Sequence, residues 1–367
     1  MKSKEKLKAF HLICITTLFN TSSILVFKGF TESGKLNWIT PILGAVLAIL
    51  ASFILFTVSK SFPGKSIYEV INILFPKWAS LALNSIYALY SVYLLGRILK
   101  NTGILITTVA LNKTPQILLE IAIIIICGYA LWNGVSVFGR LSILSCVITF
   151  FAVSITFIMS FTNIDSENLL PMVPNGGVES VLSDTFSFFI IPFSENILLY
   201  NIYASSENLK KNYKPFLIGF SISTLVITAV SFLTLGVLGL KTIDGLFYPF
   251  YTTVSVIKNG NFFSRMEVFI SASLILNLLT KLGVCFYAAL GFFETRNIFK
   301  NRLWEFISVG GAATRVAIVL PSTTAGIKDN IESYKIWAPF VQILLPSIIF
   351  ITLLIKNKFF RKIKNYY

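Results

Sequence analysis

Pro192, Phe193, Ser194, Glu195 and Asn196 put a proline, a hydroxyl, a carboxylate and an amide into five consecutive positions of an otherwise apolar stretch long enough to cross a bilayer. Proline has no N–H and its ring clashes with the preceding turn, so the stretch predicts a helix that breaks or kinks at Pro192. A carboxylate near mid-bilayer costs at least ~2.5 kcal/mol on insertion scales, so Glu195 must be matched by a cation, water, a proton or a ligand. A cation at hand is Lys281, in the middle of the apolar run around Asn277-Leu278-Leu279-Thr280-Lys281-Leu282-Gly283. With the N-terminus placed inside, Lys281 stands about 15 residues and Glu195 about 17 residues from the outer ends of their spans, a similar depth at ~1.5 Å per residue. A Glu195–Lys281 pair is open to three readings: a structural lock, an ion or proton site in which the ammonium takes the place of a coupling cation, and a ligand contact.

A second polar cluster lies in the first apolar run, where Asn20, Thr21, Ser22 and Ser23 follow one another. Small polar side chains compete for backbone hydrogen bonds and favour caps and turns, so the first span is also expected to be interrupted. Interruptions in corresponding spans of two inverted halves point to a transporter-type binding site. The candidate ligand-binding residues are therefore Asn20, Thr21, Ser22 and Ser23 from the first break, and Pro192, Phe193 and Glu195 from the second. Ser187 and Phe189 are added as cavity walls just before the second break, and Tyr93 as a ring that could cap a ligand and bond it through its hydroxyl. Tyr93 belongs to a stripe with Tyr87 and Tyr90 at helical spacing, which as a pattern reads equally as packing. Asp184 is expected in an outer vestibule, and Glu120 and Glu267 at the membrane interface. Arg97 and Arg315 are expected to snorkel to the surface.

These residues need elements that hold them at membrane depth, and the composition supplies them. Of 367 residues, 55% are hydrophobic and 13% charged, with a mean hydropathy of +0.78. Soluble domains carry about twice that charge. The apolar residues form runs of roughly 20, the length that spans hydrocarbon, without the alternation of a membrane barrel. The expectation is an all-α polytopic membrane protein with ten spans: 9–30, 39–58, 81–107, 117–131, 141–161, 178–203, 215–238, 266–293, 303–320 and 336–355. They form one domain over residues 1–367, with a 5+5 inverted repeat of approximate halves 9–161 and 178–355 and broken helices one and six. The two longest gaps, 59–80 and 239–265, are expected to hold short interfacial helices. The chain has a net charge of +15. With the N-terminus inside, nineteen lysines and arginines fall on the inner side and eleven on the outer, which puts both termini in the cytoplasm.

Several function classes are excluded by what the chain lacks. No basic groove with interleaved aromatics suggests nucleic acid. Cys14, Cys127, Cys146 and Cys285 each sit in an apolar run with no C-x-x-C spacing, so neither a disulfide nor a metal site is expected. His11 is the single histidine and cannot build a zinc site. No G-x-S-x-G, P-loop or H-E-x-x-H motif points to an enzyme, and no cofactor is expected. The basic stretch 1–8 precedes a long span without a small-residue cleavage site and reads as a retained helix rather than a signal peptide.

Several pieces in order then resemble the spore germination permeases, the B subunits of GerA-type nutrient germinant receptors. They are Phe62-Pro63-Gly64-Lys65-Ser66 with Tyr68-Glu69, Asn168-Leu169-Leu170-Pro171, Pro192-Phe193-Ser194-Glu195, Ser206-Glu207-Asn208-Leu209-Lys210-Lys211, Tyr248-Pro249, Arg265-Met266-Glu267, Lys281 and Tyr287. The resemblance covers essentially the whole chain. It implies the ten-helix inverted-repeat fold of the amino acid–polyamine–organocation superfamily and a place in the inner membrane of a bacterial spore. It also implies a small nutrient as ligand, with a membrane A subunit and a lipoprotein C subunit as partners. The alternative is a proton- or cation-coupled solute transporter acting alone. Related permeases often carry glycine at the first break, where this chain has Asn20-Thr21-Ser22-Ser23, so either side chains replace backbone contacts to the ligand or the ligand is not a simple α-amino acid.

Overall fold

The computed structural model describes residues 6–364 apart from 28, 175, 210–211 and 257–262, with the backbone alone at 263–266, 324 and 357–364. Lys2, Lys4, Lys28, Lys210, Lys211 and Lys258, counted for orientation, lie outside the described residues. The first half runs α1 (Ala9–Val26), α2 (Thr40–Ser61), α3 (Ile67–Leu74), α4 (Lys77–Val109), α5 (Gln116–Trp132) and α6 (Val135–Ser160). A short α7 (Ser166–Leu169) leads to α8 (Gly177–Ile190) and α9 (Leu199–Tyr203), which are separated by a 3-10 turn, Phe193–Leu198. Then come α10 (Tyr213–Leu238), α11 (Leu240–Gly245), α12 (Pro249–Val256), α13 (Phe263–Arg296) and α14 (Arg302–Val319). Last are α15 (Thr324–Pro339) and α16 (Leu345–Lys364), joined without a break through a π-turn at Phe340–Leu344. Seven of these helical segments are long and apolar enough to cross a membrane. The expected fourth, sixth and ninth spans correspond to the shorter α5, the interrupted α8–α9 and α14.

The packing follows the exchange rule of an inverted repeat. Helix α1 packs along α10 as α8 and the 3-10 turn pack along α2, and α4 packs on α14 as α13 packs on α5. Helices α4 and α13, third and eighth in the span order, cross at the centre and pack on each other. Close approach is bought with glycine, as is usual where lipid supplies no hydrophobic drive between helices. A Cβ on Gly44 of α2 would fall 2.9 Å from Phe188 Cβ and 3.0 Å from the Phe189 backbone nitrogen of α8. One on Gly96 of α4 would fall 2.6 Å from Val316 Cβ on α14.

Two expectations are corrected. Helix α1 is not interrupted at Asn20–Ser23; it stays helical to Val26 and ends at an extended Phe27. The reason is local: Thr21 Oγ1 donates to the Thr17 carbonyl (2.9 Å) and Ser22 Oγ to the Phe19 carbonyl (3.0 Å), so these hydroxyls bond back onto their own helix. The last segment also starts earlier than expected, because Thr323 caps the N-terminus of α15 and residues 324–335, polar on one face, are helical. The two long gaps do hold short helices: α3, with Ser66 and Glu69 forming a reciprocal capping box, and the pair α11 and α12.

The Gly44 contact predicts that Gly44→Val lowers stability by about 1–3 kcal/mol through overpacking against α8. Val46, two residues on and 56% exposed, is the control. Thermal unfolding of the purified protein should show a lower midpoint for Gly44→Val and no change for Val46→Ala.

Candidate functional site

The break in α8–α9 is built by the sequence around Pro192. The ladder closes with the Ile191 N–H on the Ser187 carbonyl at 2.8 Å, Ile191 turns extended, and Glu195 N–H bonds the Pro192 carbonyl at 3.2 Å in the 3-10 turn. The α-helical partner of the Ile190 carbonyl would be the nitrogen of residue 194. Instead Gln342 Nε2 from the π-turn approaches that carbonyl at 3.3 Å, its two protons shared among this oxygen and two tyrosine hydroxyls. Backbone left unpaired in a membrane must find such a partner.

The turn aims Glu195 into the protein, where it is 1% exposed and faces Lys281, which is fully buried. Lys281 Nζ lies 2.5 Å from Glu195 Oε2 and donates to Ser23 Oγ at 2.9 Å, with the Phe19 ring 4.9 Å away. The other oxygen, Glu195 Oε1, accepts from the Tyr334 hydroxyl at 2.9 Å. Tyr334 Oη in turn receives Gln342 Nε2 at 3.0 Å and lies 2.9 Å from Tyr90 Oη. Because the single hydroxyl proton of Tyr334 is committed to Glu195, Tyr90 must be the donor of the tyrosine pair, with Gln342 donating to its oxygen at 2.9 Å. Donors from α4, α13, α15 and the π-turn therefore converge, directly or through Tyr334, on one carboxylate. This arrangement satisfies an ionised Glu195, as a charge removed from water requires.

Beside this network is a cavity of about 50 Å³. Polar residues on its wall include Ser23, Arg97, Lys100, Asn101, Glu195 and Asn330, and the turn at Leu320–Pro321 bounds one side. A single water needs ~10–15 Å³ of such space, so the cavity holds a few waters; small-molecule sites are usually ~300 Å³ or more.

Among the ten residues expected to contact a ligand, Ser23 and Glu195 line this cavity and the other eight do not. Asn20 donates to Ser223 Oγ at 3.2 Å, and Thr21 accepts from Asn277 Nδ2 at 3.1 Å. Ser22 is turned onto its own helix. Phe193 packs on Phe220 with ring centroids 5.0 Å apart. Ser187 accepts from Lys335 Nζ at 3.3 Å in an open groove between α8 and α15, and Phe189 packs on Phe186. Pro192 makes the bend, and Tyr93 bonds Asn330 Oδ1 at 3.2 Å, one residue back from the wall.

One of the interface readings is corrected, and two carboxylates are found buried with partners. Arg97 does not snorkel: it is 8% exposed, lines the cavity, and its guanidinium lies 4.3 Å from the centroid of the Tyr334 ring. Glu120 is buried and accepts from Gln116 Nε2 at 2.7 Å. Asp184 is buried too and receives the Ser33 N–H at 2.8 Å and the Ser33 hydroxyl at 2.5 Å, tying the segment after α1 to α8. Sequence reasoning missed Tyr334 and Asn330 because residues 321–335 fall between the expected spans, and Gln342 because it is a lone amide within the expected span 336–355. Their spacing carried a signal: Asn330 and Tyr334 stand four apart on one helix face, with Gln342 two turns further on.

The comparisons with known proteins agree with this architecture. A family model described as "Spore germination protein" matches residues 5–327. Spore germination protein KB of Bacillus subtilis (strain 168) is 24% identical over 363 residues, covering 97% of this chain and 96% of that protein. Spore germination protein YndE of the same organism is 23% identical over 258 residues, 69% of each. Among solved structures, MHP1, a nucleobase-cation-symport-1 family transporter in a closed conformation with bromovinylhydantoin bound, superposes with a TM-score of 0.69 at 12% identity over 93% of this chain and 78% of its own. MhsT in complex with L-phenylalanine gives 0.68 at 14% identity, over 93% and 87%. At these identities the two structures establish a shared transporter fold.

The buried pair predicts a coupled response. Lys281→Ala leaves an uncompensated buried carboxylate and should cost about 3–5 kcal/mol, abolishing function. Adding Glu195→Gln to Lys281→Ala should recover most of the loss. The check is a double-mutant cycle on thermal unfolding of the purified protein; strictly additive effects of the two substitutions would show that the groups do not interact.

Proposed function

This chain belongs to the spore germination protein family, and on that premise we propose that it is the nutrient-binding B subunit of a spore germinant receptor. It is an integral membrane protein with a permease-type fold. In the proposed role it sits in the spore inner membrane with both termini cytoplasmic. It binds a small nutrient beside Glu195 and signals to a membrane A subunit and a lipoprotein C subunit.

The observation that carries this reading is the small cavity against the ion pair at the helix break. A nutrient larger than a few waters must widen it, and widening moves the α8–α9 break against α4 and α15. Binding and movement are then one event, and the ligand shifts the equilibrium by its differential affinity for the wider state. The alternative of a coupled transporter acting alone draws on the fold it shares with MHP1 and MhsT. A lone proton-carrier role for Glu195 is disfavoured, because Lys281 already supplies its counter-charge at 2.5 Å.

Spores carrying Ser23→Ala or Asn330→Ala should need about five- to tenfold more nutrient, or answer to a changed set of nutrients, at unchanged protein level. The purified chain should co-isolate with two further subunits and show no coupled uptake in proteoliposomes. Accumulation of solute by the chain alone would favour the transporter; wild-type dose responses in both variants would remove the cavity from nutrient sensing.

A further inference from the structure

The cavity wall is unbalanced in charge. Arg97 and Lys100 stand three residues apart on α4, each 8% exposed, and both line the space. Among the described residues, neither side chain forms an ion pair with a carboxylate. Lys100 has Glu120 within electrostatic reach and is partly compensated. Arg97 has the Tyr334 ring beneath it, and its Nη1 is buried without a hydrogen-bond partner. A guanidinium cannot shed its proton to escape this cost, so the shortfall has to be met by an anion or by solvent.

Glu195, the carboxylate on the wall, does not meet it: it is paired with Lys281 and not with Arg97, so its charge is already matched. A ligand amine brought beside Glu195 would compete with that pairing. Ser23 accepts from Lys281 and so keeps its own O–H to donate. Donors therefore dominate this wall. The backbone of α1 offers no substitute: the helix runs unbroken through Asn20–Ser23, so its N–H groups there are committed to the helical ladder.

We propose that Arg97 is an anion subsite that binds the carboxylate of the nutrient, with Lys100 lending charge and Ser23 a hydroxyl, so that the ligand is a small carboxylic acid such as an amino acid rather than a sugar or nucleoside. This rests on the reading of the cavity as the nutrient site. The planar fork of arginine holds a carboxylate through two parallel hydrogen bonds, which a lysine cannot reproduce. The incoming carboxylate supplies the negative charge that the wall lacks and leaves the Glu195–Lys281 pair intact.

The test uses the full chain in lipid nanodiscs and thermal unfolding as readout. The probes are the uncharged-side-chain L-amino acids, their carboxamides, propionate, D-glucose, inosine and inorganic phosphate, each tested alone, with propionate also added together with any stabilising amino acid. At least one amino acid should raise the midpoint with a saturable dose dependence, its carboxamide should not, and propionate should compete with it. Arg97→Gln should weaken that amino acid by about tenfold or more, and Arg97→Lys by less. If Arg97→Gln does not fold, the acid-against-amide comparison on the unaltered chain and the Arg97→Lys variant decide the matter. Stabilisation by glucose or inosine with no carboxylate active overturns the anion subsite while leaving the cavity a nutrient site. Stabilisation by phosphate alone, or equal binding of acid and carboxamide, overturns it as well. No stabilisation by any probe overturns both the subsite and the nutrient-site reading beneath it.

Discussion

Glu195 and Lys281 face each other at 2.5 Å in an interior from which both are almost wholly excluded from water. Two charges in such a place persist only when their remaining hydrogen-bonding capacity is also met. The surrounding structure meets it: Tyr334 takes the second carboxylate oxygen, Ser23 takes a second ammonium proton, and Tyr90 and Gln342 hold Tyr334 in position. These partners come from the first, third, sixth, eighth and last spans in the chain order. The pair therefore fixes how the two halves of the molecule meet, and a helix displaced by one residue would leave at least one of these groups without its partner.

The break in α8–α9 and the continuity of α1 are two answers to one problem. Pro192 removes a donor and ends the α-helical ladder, and Gln342 covers the carbonyl this exposes. In α1 the hydroxyls of Thr21 and Ser22 fold back on carbonyls of their own helix, and the helix survives. One break gives the site its carboxylate. The unbroken helix withholds backbone donors, and a buried arginine and a lysine provide charge at the wall instead. The preference for ligand charge proposed above rests on that exchange.

Much of this was legible in the residues. The kink at Pro192, the depth match of Glu195 and Lys281, and the short helices in the two polar gaps all rest on local chemistry or simple counting along a helix. The roles of Arg97 and of the Asn20–Ser23 run did not follow from such rules. An arginine twelve residues from the end of a long helix can reach the surface or point inward, and its sequence neighbours do not distinguish the two. A run of hydroxyls can end a helix or bond back along it, and the residue types alone do not distinguish the two.

The sequence by itself determined that the chain is helical and membrane-spanning, that one span must break at Pro192, and that a carboxylate at membrane depth needs a counterpart, with Lys281 the cation at matching depth. These follow from hydrocarbon thickness, from proline's missing N–H and from the cost of a lone charge in lipid. Only the tertiary structure decided which side chains close the network and which face the cavity. Tyr334 and Gln342 are 139 and 147 positions beyond Glu195 in the chain, yet they complete its environment. Their place depends on the rotation of α15 and the π-turn against α4 and α8, which packing sets and no local periodicity encodes.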